Sequence, residues 1–167
     1  MGGIESQGFE LSASYMLTNE WNVYTSYTNN SSEYASDDPS SYANGELIDG
    51  AGPSFRAGDD VIDSPSDMFV LSTDYYSGDF RFGISAKYTG ERLGAWTDEQ
   101  TRARNEVDSY TVIDFNAGYF AEVNAGAFTS IDIAFAVTNV TDKQYLSGGT
   151  GNGSTYFNLF SISNIFK

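Results

Sequence analysis

The chain has 167 residues, a formal net charge of −15, 17 glycines, 3 prolines and 16 % aromatic residues, enough for one ordinary domain and suited to a sheet protein with many turns. Cysteine and histidine are both absent, which excludes disulfides, thiolate and imidazole metal sites, cysteine nucleophiles and every histidine-dependent triad. The surplus of acids argues against nucleic acid, whose phosphates need clustered Lys and Arg, and no apolar run approaches the roughly 20 residues of a spanning helix, so a bilayer crossing would have to use strands.

Met1 is not followed by a basic region and an apolar signal core, so Met1 is not expected to be the natural start. The first periodic segment is GFELSASYML, in which Phe9, Leu11, Ala13, Tyr15 and Leu17 alternate with Glu10, Ser12, Ser14 and Met16. A period of two marks a strand with two different faces. Thr18, Asn19 and Glu20 then lead into WNVYTSYT, where Trp21, Val23, Thr25 and Tyr27 share one side. Together they predict a hairpin.

A long connection over residues 29–66 follows. It holds eight carboxylates, among them Asp59, Asp60 and Asp63, against Arg56 alone. Several carboxylates on one loop can capture Ca²⁺, but the spacing matches no EF-hand, and solvated surface charge is the reading preferred. MFVLSTDYY and FRFGISAKYTG predict the next hairpin, around Ser77-Gly78-Asp79. Phe69, Leu71, Thr73 and Tyr75 fall on one side, matched by Phe80, Phe82, Ile84, Ala86 and Tyr88. Beyond a second long connection at residues 90–109, SYTVIDFNAGYF and IDIAFAVTN predict two more strands, joined by a short link at roughly 120–130. TYFNLFSISNIF, after a third long connection at 140–154, is the last and least regular. The pattern predicts about seven antiparallel strands.

Short and long connections alternate, so one end of the sheet has turns and the other has loops. In a membrane barrel the apolar face meets lipid, the lumen is polar, and aromatic girdles stand at both interfaces. Trp21, Tyr27, Tyr75, Tyr88, Tyr110, Tyr119 and Phe166 fall near expected strand ends, where an amphipathic ring can sit at headgroup level. The opposite row carries Glu10, Arg81, Lys87, Asp114 and Asp132, charges that would be costly in a packed core. Arg81, Lys87, Asp114 and Asp132 are the candidates for lumen-lining contacts.

VTNVTDKQYLSGG resembles the motif near the C-terminus of TonB-dependent outer-membrane receptors, in which a penultimate strand ends in Asn-Leu-Phe-Asp-Lys-x-Tyr; Asn139, Asp142, Lys143 and Tyr145 hold the matching positions. Val140 and Thr141 replace the family's apolar pair, and Lys167 follows Phe166 where such barrels often end on an aromatic. SAKYTGERLG resembles the family's strand ending in Tyr-x-Gly-x-Arg, carried by Tyr88, Gly90 and Arg92. The likeness extends in order over nearly the whole chain.

The resemblance implies an all-β fold, an antiparallel transmembrane β-barrel segment within a barrel of about 22 strands. It implies that residues 1–167 are the C-terminal portion, with an N-terminal plug domain and upstream strands lying outside them. It further implies a bacterial outer-membrane location, lipid and a TonB complex as partners, the latter reached through the N-terminal part, and active transport of a scarce nutrient. A ferric siderophore is the commonest cargo. No enzyme activity, metal site or cofactor is expected. Two other readings remain from the pattern: a small passive or structural barrel, and a soluble β-domain that binds polysaccharide. GGTGNGS at residues 148–154 lacks the Lys-Ser/Thr of a phosphate-cradling loop and is read as an external loop.

Overall fold

The computed structural model describes residues 3–38, 42–43, 46–47, 55–98, 103–125, 128–146 and 160–166. Seven of its strands form one antiparallel sheet: β1 (Ile4–Met16), β2 (Trp21–Tyr34), β5 (Asp67–Ser77), β6 (Phe80–Thr89), β9 (Tyr110–Ala125), β10 (Phe128–Val137) and β11 (Phe160–Phe166), hydrogen-bonded in that order. β3 (Tyr42–Ala43) with β4 (Glu46–Leu47), and β7 (Arg92–Asp98) with β8 (Ala103–Val107), are separate two-stranded ribbons in the long connections.

The turns follow from local chemistry. Ser77 pairs with Phe80, leaving Gly78 and Asp79 as a two-residue loop. Gly78 has φ 58°, the positive value that a hairpin turn of this length needs at its first central residue and that glycine adopts without strain. Between β1 and β2 the Leu17 N–H donates to the Trp21 carbonyl at 2.8 Å.

Register carries the alternation of single strands across the whole sheet. Trp21 lies opposite Tyr75, Tyr75 opposite Phe82, Phe82 opposite Ala117, and Ala117 opposite Phe135. Closer to the loops, Leu11, Tyr27, Phe69, Tyr88 and Thr111 are successive partners. Directly paired residues share a face, so one side of the sheet is predominantly apolar, with Thr25, Thr73 and Thr111 among its aromatic and aliphatic residues.

Nothing in the described residues covers that side. Leu11 is 68 % exposed and Ile84 49 %, and Val107, outside the main sheet, is the sole buried hydrophobic residue among those described. A soluble sandwich or barrel of this size buries one face of each strand against another layer. This sheet is a single open layer. The 11 residues of β5 and 10 of β6 match the 9–11 that a tilted strand needs to cross a bilayer.

Three segments differ from the periodicity. β1 and β2 pair from Ile4 opposite Tyr34 onward, beyond the expected limits, because backbone pairing continues where the sequence no longer alternates in polarity. β9 reaches Ala125 and β10 begins at Phe128, so most of the expected 120–130 link is strand. The second long connection carries the β7–β8 ribbon, whose shifted register leaves no clean period to read.

Candidate functional site

Two ion pairs stand on the polar face. Arg81 on β6 reaches across β9 to Asp132 on β10, with Nη2 to Oδ1 at 2.9 Å. The residue beneath it is Gly118, directly opposite Arg81 in the register. A Cβ there would meet the guanidinium Cζ at 2.7 Å, so glycine is what lets the side chain lie flat over the intervening strand. Lys87 Nζ meets Asp114 Oδ2 at 3.4 Å. The four predicted charges are thus brought together as two cross-strand pairs. Their side chains are partly exposed, 41 % for Arg81 and 38 % for Asp132, a setting in which such pairs contribute about 0–1 kcal/mol.

Asp114 also connects this face to the loop end. Its Oδ1 accepts a hydrogen bond from the Asn139 N–H at 2.9 Å. Asn139 itself is buried and holds φ 53°, a left-handed conformation that Asn tolerates better than most residues. Its side-chain amide closes the turn from both sides: Nδ2 donates to the Lys143 carbonyl at 3.0 Å, and Oδ1 accepts from the Lys143 N–H at 2.9 Å. Asp142 adopts φ 50°, with its N–H donating to the Asn139 carbonyl at 2.9 Å. The strand stops here because one side chain satisfies backbone groups that a further ladder would have taken.

Tyr145 stacks on Tyr110, ring centroids 4.1 Å apart at 18°. Arg92 lies beside them, its Cζ 5.6 Å from the Tyr110 centroid. Arg92 Nε donates to Asp63 Oδ1 at 3.0 Å and Nη2 to the Leu146 carbonyl at 2.5 Å. Both sequence motifs therefore converge on one cluster at the loop end. Gly90, the glycine of Tyr-x-Gly-x-Arg, passes so close to β5 that a Cβ would stand 2.8 Å from the Asp67 carbonyl oxygen. A cleft of about 440 Å³ opens beside the cluster, lined by Asn30, Ser32, Ser64, Glu91, Arg92 and Glu106 among others.

The acidic connection is braced rather than loose where it is described. Residues 55–61 run back along the extension of β2, with the Tyr34 N–H donating to the Asp59 carbonyl and the Val61 N–H to the Ser32 carbonyl, both at 2.9 Å. Tyr34 stacks on Phe55 at 4.0 Å. Arg104 of β8 reaches Asp59 at 3.6 Å and the Asp60 carbonyl at 2.7 Å. Among the described residues no group of three or more His, Cys, Asp or Glu is placed to hold a metal ion.

Of the predicted aromatic residues, Trp21, Tyr27, Tyr75, Tyr88 and Tyr119 fall on the apolar face, at two levels, whereas Tyr110, opposite Thr89, falls on the polar face in the cluster with Tyr145 and Arg92, because the strand enters one residue out of phase with the lipid-facing row. Trp21 and Tyr75 meet edge to face at 6.4 Å near the turns, and the Trp21 indole N–H donates to Thr73 Oγ1 at 2.5 Å. Phe80 and Tyr119 are 4.8 Å apart at the same end. Tyr27, 5.8 Å from Phe9, and Tyr88, opposite Phe69, stand towards the loops. Tyr27 and Tyr119 are interior to strands that run longer than the period indicated. Phe166 ends β11 opposite Ile131, and its side chain, like residues 148–154, lies outside the described residues.

A single-layer sheet with an uncovered apolar face, a polar ion-paired face, turns at one end and braced loops at the other is the wall of a membrane β-barrel. Residues 2–140 match the family described as TonB dependent receptor-like, beta-barrel, and the chain belongs to that family. A relative named Ferrioxamine receptor, from Yersinia enterocolitica, is 28 % identical over 151 residues, 87 % of this chain and 18 % of its own length. Among solved structures, the ferric-catecholate import receptor Fiu of K12 E. coli is similar over 99 % of this chain and 20 % of its own, at 22 % identity and TM-score 0.57. The ferric citrate transporter FecA is similar over 96 % of this chain and 23 % of its own, at 18 % identity and TM-score 0.62. The chain thus spans about a fifth of the length of the relatives it matches.

Proposed function

We propose that this chain forms part of the wall and three external loops of a TonB-dependent import receptor in the bacterial outer membrane, with a ferric siderophore as cargo. The observation that carries the reading is the apolar face: it extends across the sheet, and the described chain offers nothing to bury it against. Lipid is the partner that such a face fits. The opposite face then lines the lumen, where Arg81–Asp132 and Lys87–Asp114 stand against an N-terminal plug domain, and TonB acts on that N-terminal part.

The cargo class is supported by the similar proteins, a ferrioxamine receptor, a ferric-catecholate import receptor and a ferric citrate transporter. The test is to express the complete receptor in a strain stripped of its own siderophore receptors, with each of those three chelates as sole iron source, with and without TonB. Growth on one of them that needs TonB is the expected result. Growth independent of TonB overturns the transport reading, and correct outer-membrane assembly without growth on any of the three overturns the cargo.

A further inference from the structure

Among the described residues Arg92 is the cation that burial singles out, the whole residue 6 % exposed, with Arg104 next. The Arg92 side chain is 3 % exposed, whereas Arg81 and Lys87 remain 41 % and 58 % exposed on the sheet. Its contacts join three separate connections. Asp63 belongs to the loop between β2 and β5, Arg92 itself opens the ribbon between β6 and β9, and Leu146 follows β10. The first two loops are joined again by the Asp63 N–H, which donates to the Leu93 carbonyl at 2.8 Å. The third is joined by Tyr145, stacked on the ring that lies beside the guanidinium.

The remaining nitrogen, Nη1, is buried without a hydrogen-bond partner. A buried donor left unpaired is costly, so this is not the position that satisfies an arginine best. It is the position from which one planar group, itself in the second loop, can reach a carboxylate of the first, a carbonyl of the third and the Tyr110 ring on which Tyr145 stacks, all at once. Lysine, with a single point of charge, cannot make that set of directions.

We infer that Arg92 is a positioning residue that fastens the three external loops into one body, so that displacement of one is transmitted to the others. The inference does not depend on which cargo the loops meet. Its consequence is mechanical: the first and third loops, which approach each other through this side chain, keep a fixed separation.

The test uses the complete receptor in outer-membrane vesicles, with cysteines only at Ala57→Cys and Gln144→Cys. This chain has no native cysteine, and Ala57 and Gln144 are exposed. Spin labels at the two positions report the distance distribution between the first and third loops. Arg92→Lys keeps the charge and removes the fork. Asp63→Asn weakens the charged contact from the first loop alone, at a residue with φ 60°, a conformation Asn accepts. Both variants are expected to broaden the distribution, and Asp63→Asn also to loosen the single label at Gln144→Cys in the other loop, which a local role for Asp63 would leave unmoved. Distributions as narrow as the parent's in both variants overturn the inference. Heat-resistant migration of the folded barrel in gels confirms that each variant has assembled.

Discussion

The assignment of the two faces makes a sharp demand on neighbouring residues. Ile84 lies on the apolar face, opposite Thr73 and Phe115, and is four residues from both Phe80 and Tyr88 on its own strand. Four residues at about 3.3 Å each, on a strand tilted about 40°, place it roughly 10 Å from either ring level, near the middle of an apolar band about 25 Å tall. Ile84→Arg puts a cation at that depth and is expected to cost about 2–4 kcal/mol, a shift of roughly 30-fold to 1000-fold in the folding equilibrium. Ser85→Arg, one residue away, points to the polar face opposite Asp114 and Ser72, where the change should stay within about 1 kcal/mol. Reversible urea unfolding of the complete receptor in phospholipid vesicles reads both. Equal costs for the two substitutions, or a neutral Ile84→Arg, would refute the assignment of faces.

Other expectations follow from single contacts. Asn139→Ala loses both bonds to Lys143 and leaves φ 53° to a residue without the polar side chain that offsets a left-handed conformation, a local loss of about 2–4 kcal/mol. It should appear as faster hydrogen exchange at the Lys143 amide, and Asn139→Gly should show a smaller effect because glycine keeps the conformation. Gly118→Ala places a methyl 2.7 Å from the Arg81 Cζ. A double-mutant cycle on Arg81 and Asp132 should then give a coupling below about 1 kcal/mol in the parent and none in that background; an unchanged coupling would mean that the guanidinium does not need the glycine. With Trp96→Phe removing the other indole of this chain, and any tryptophans elsewhere in the receptor replaced, Trp21 fluorescence should be quenched more by lipids brominated near the headgroup than by those brominated at the chain end. The reverse order would remove Trp21 from the interface.

The seven-strand sheet was legible because each strand carries its two environments in alternation. The pairs Arg81–Asp132 and Lys87–Asp114 could be named as polar-face charges, but who meets whom was not readable. That depends on register across strands distant in sequence and on a glycine that leaves room for a side chain to cross. The Asn139 turn was legible as the end of a strand, because the motif that closes the family's penultimate strand falls there. The closing of both Lys143 backbone groups by one amide needed coordinates. Arg92 is the residue whose importance the sequence concealed: its motif identified it, yet the partners that define its role come from the two other loops, which have no periodic pattern, and from Tyr110 at the start of β9. The glycine two residues before it was the available signal, since a glycine at a strand end marks close backbone approach.

The uncovered face also changes what its side chains are selected to do. In a packed interior each residue is shaped against particular neighbours, so volume and branching are constrained position by position. Hydrocarbon chains are fluid and conform to whatever they touch, so Leu11, Leu71, Ile84 and Phe135 need only be greasy and can exchange among themselves without leaving a void. The positions that cannot drift are on the other surface and at the rim, where Gly118, Asn139 and Arg92 each answer to a fixed partner. This domain inverts the usual economy of a protein: its apolar residues are interchangeable, and its specificity is written in polar ones.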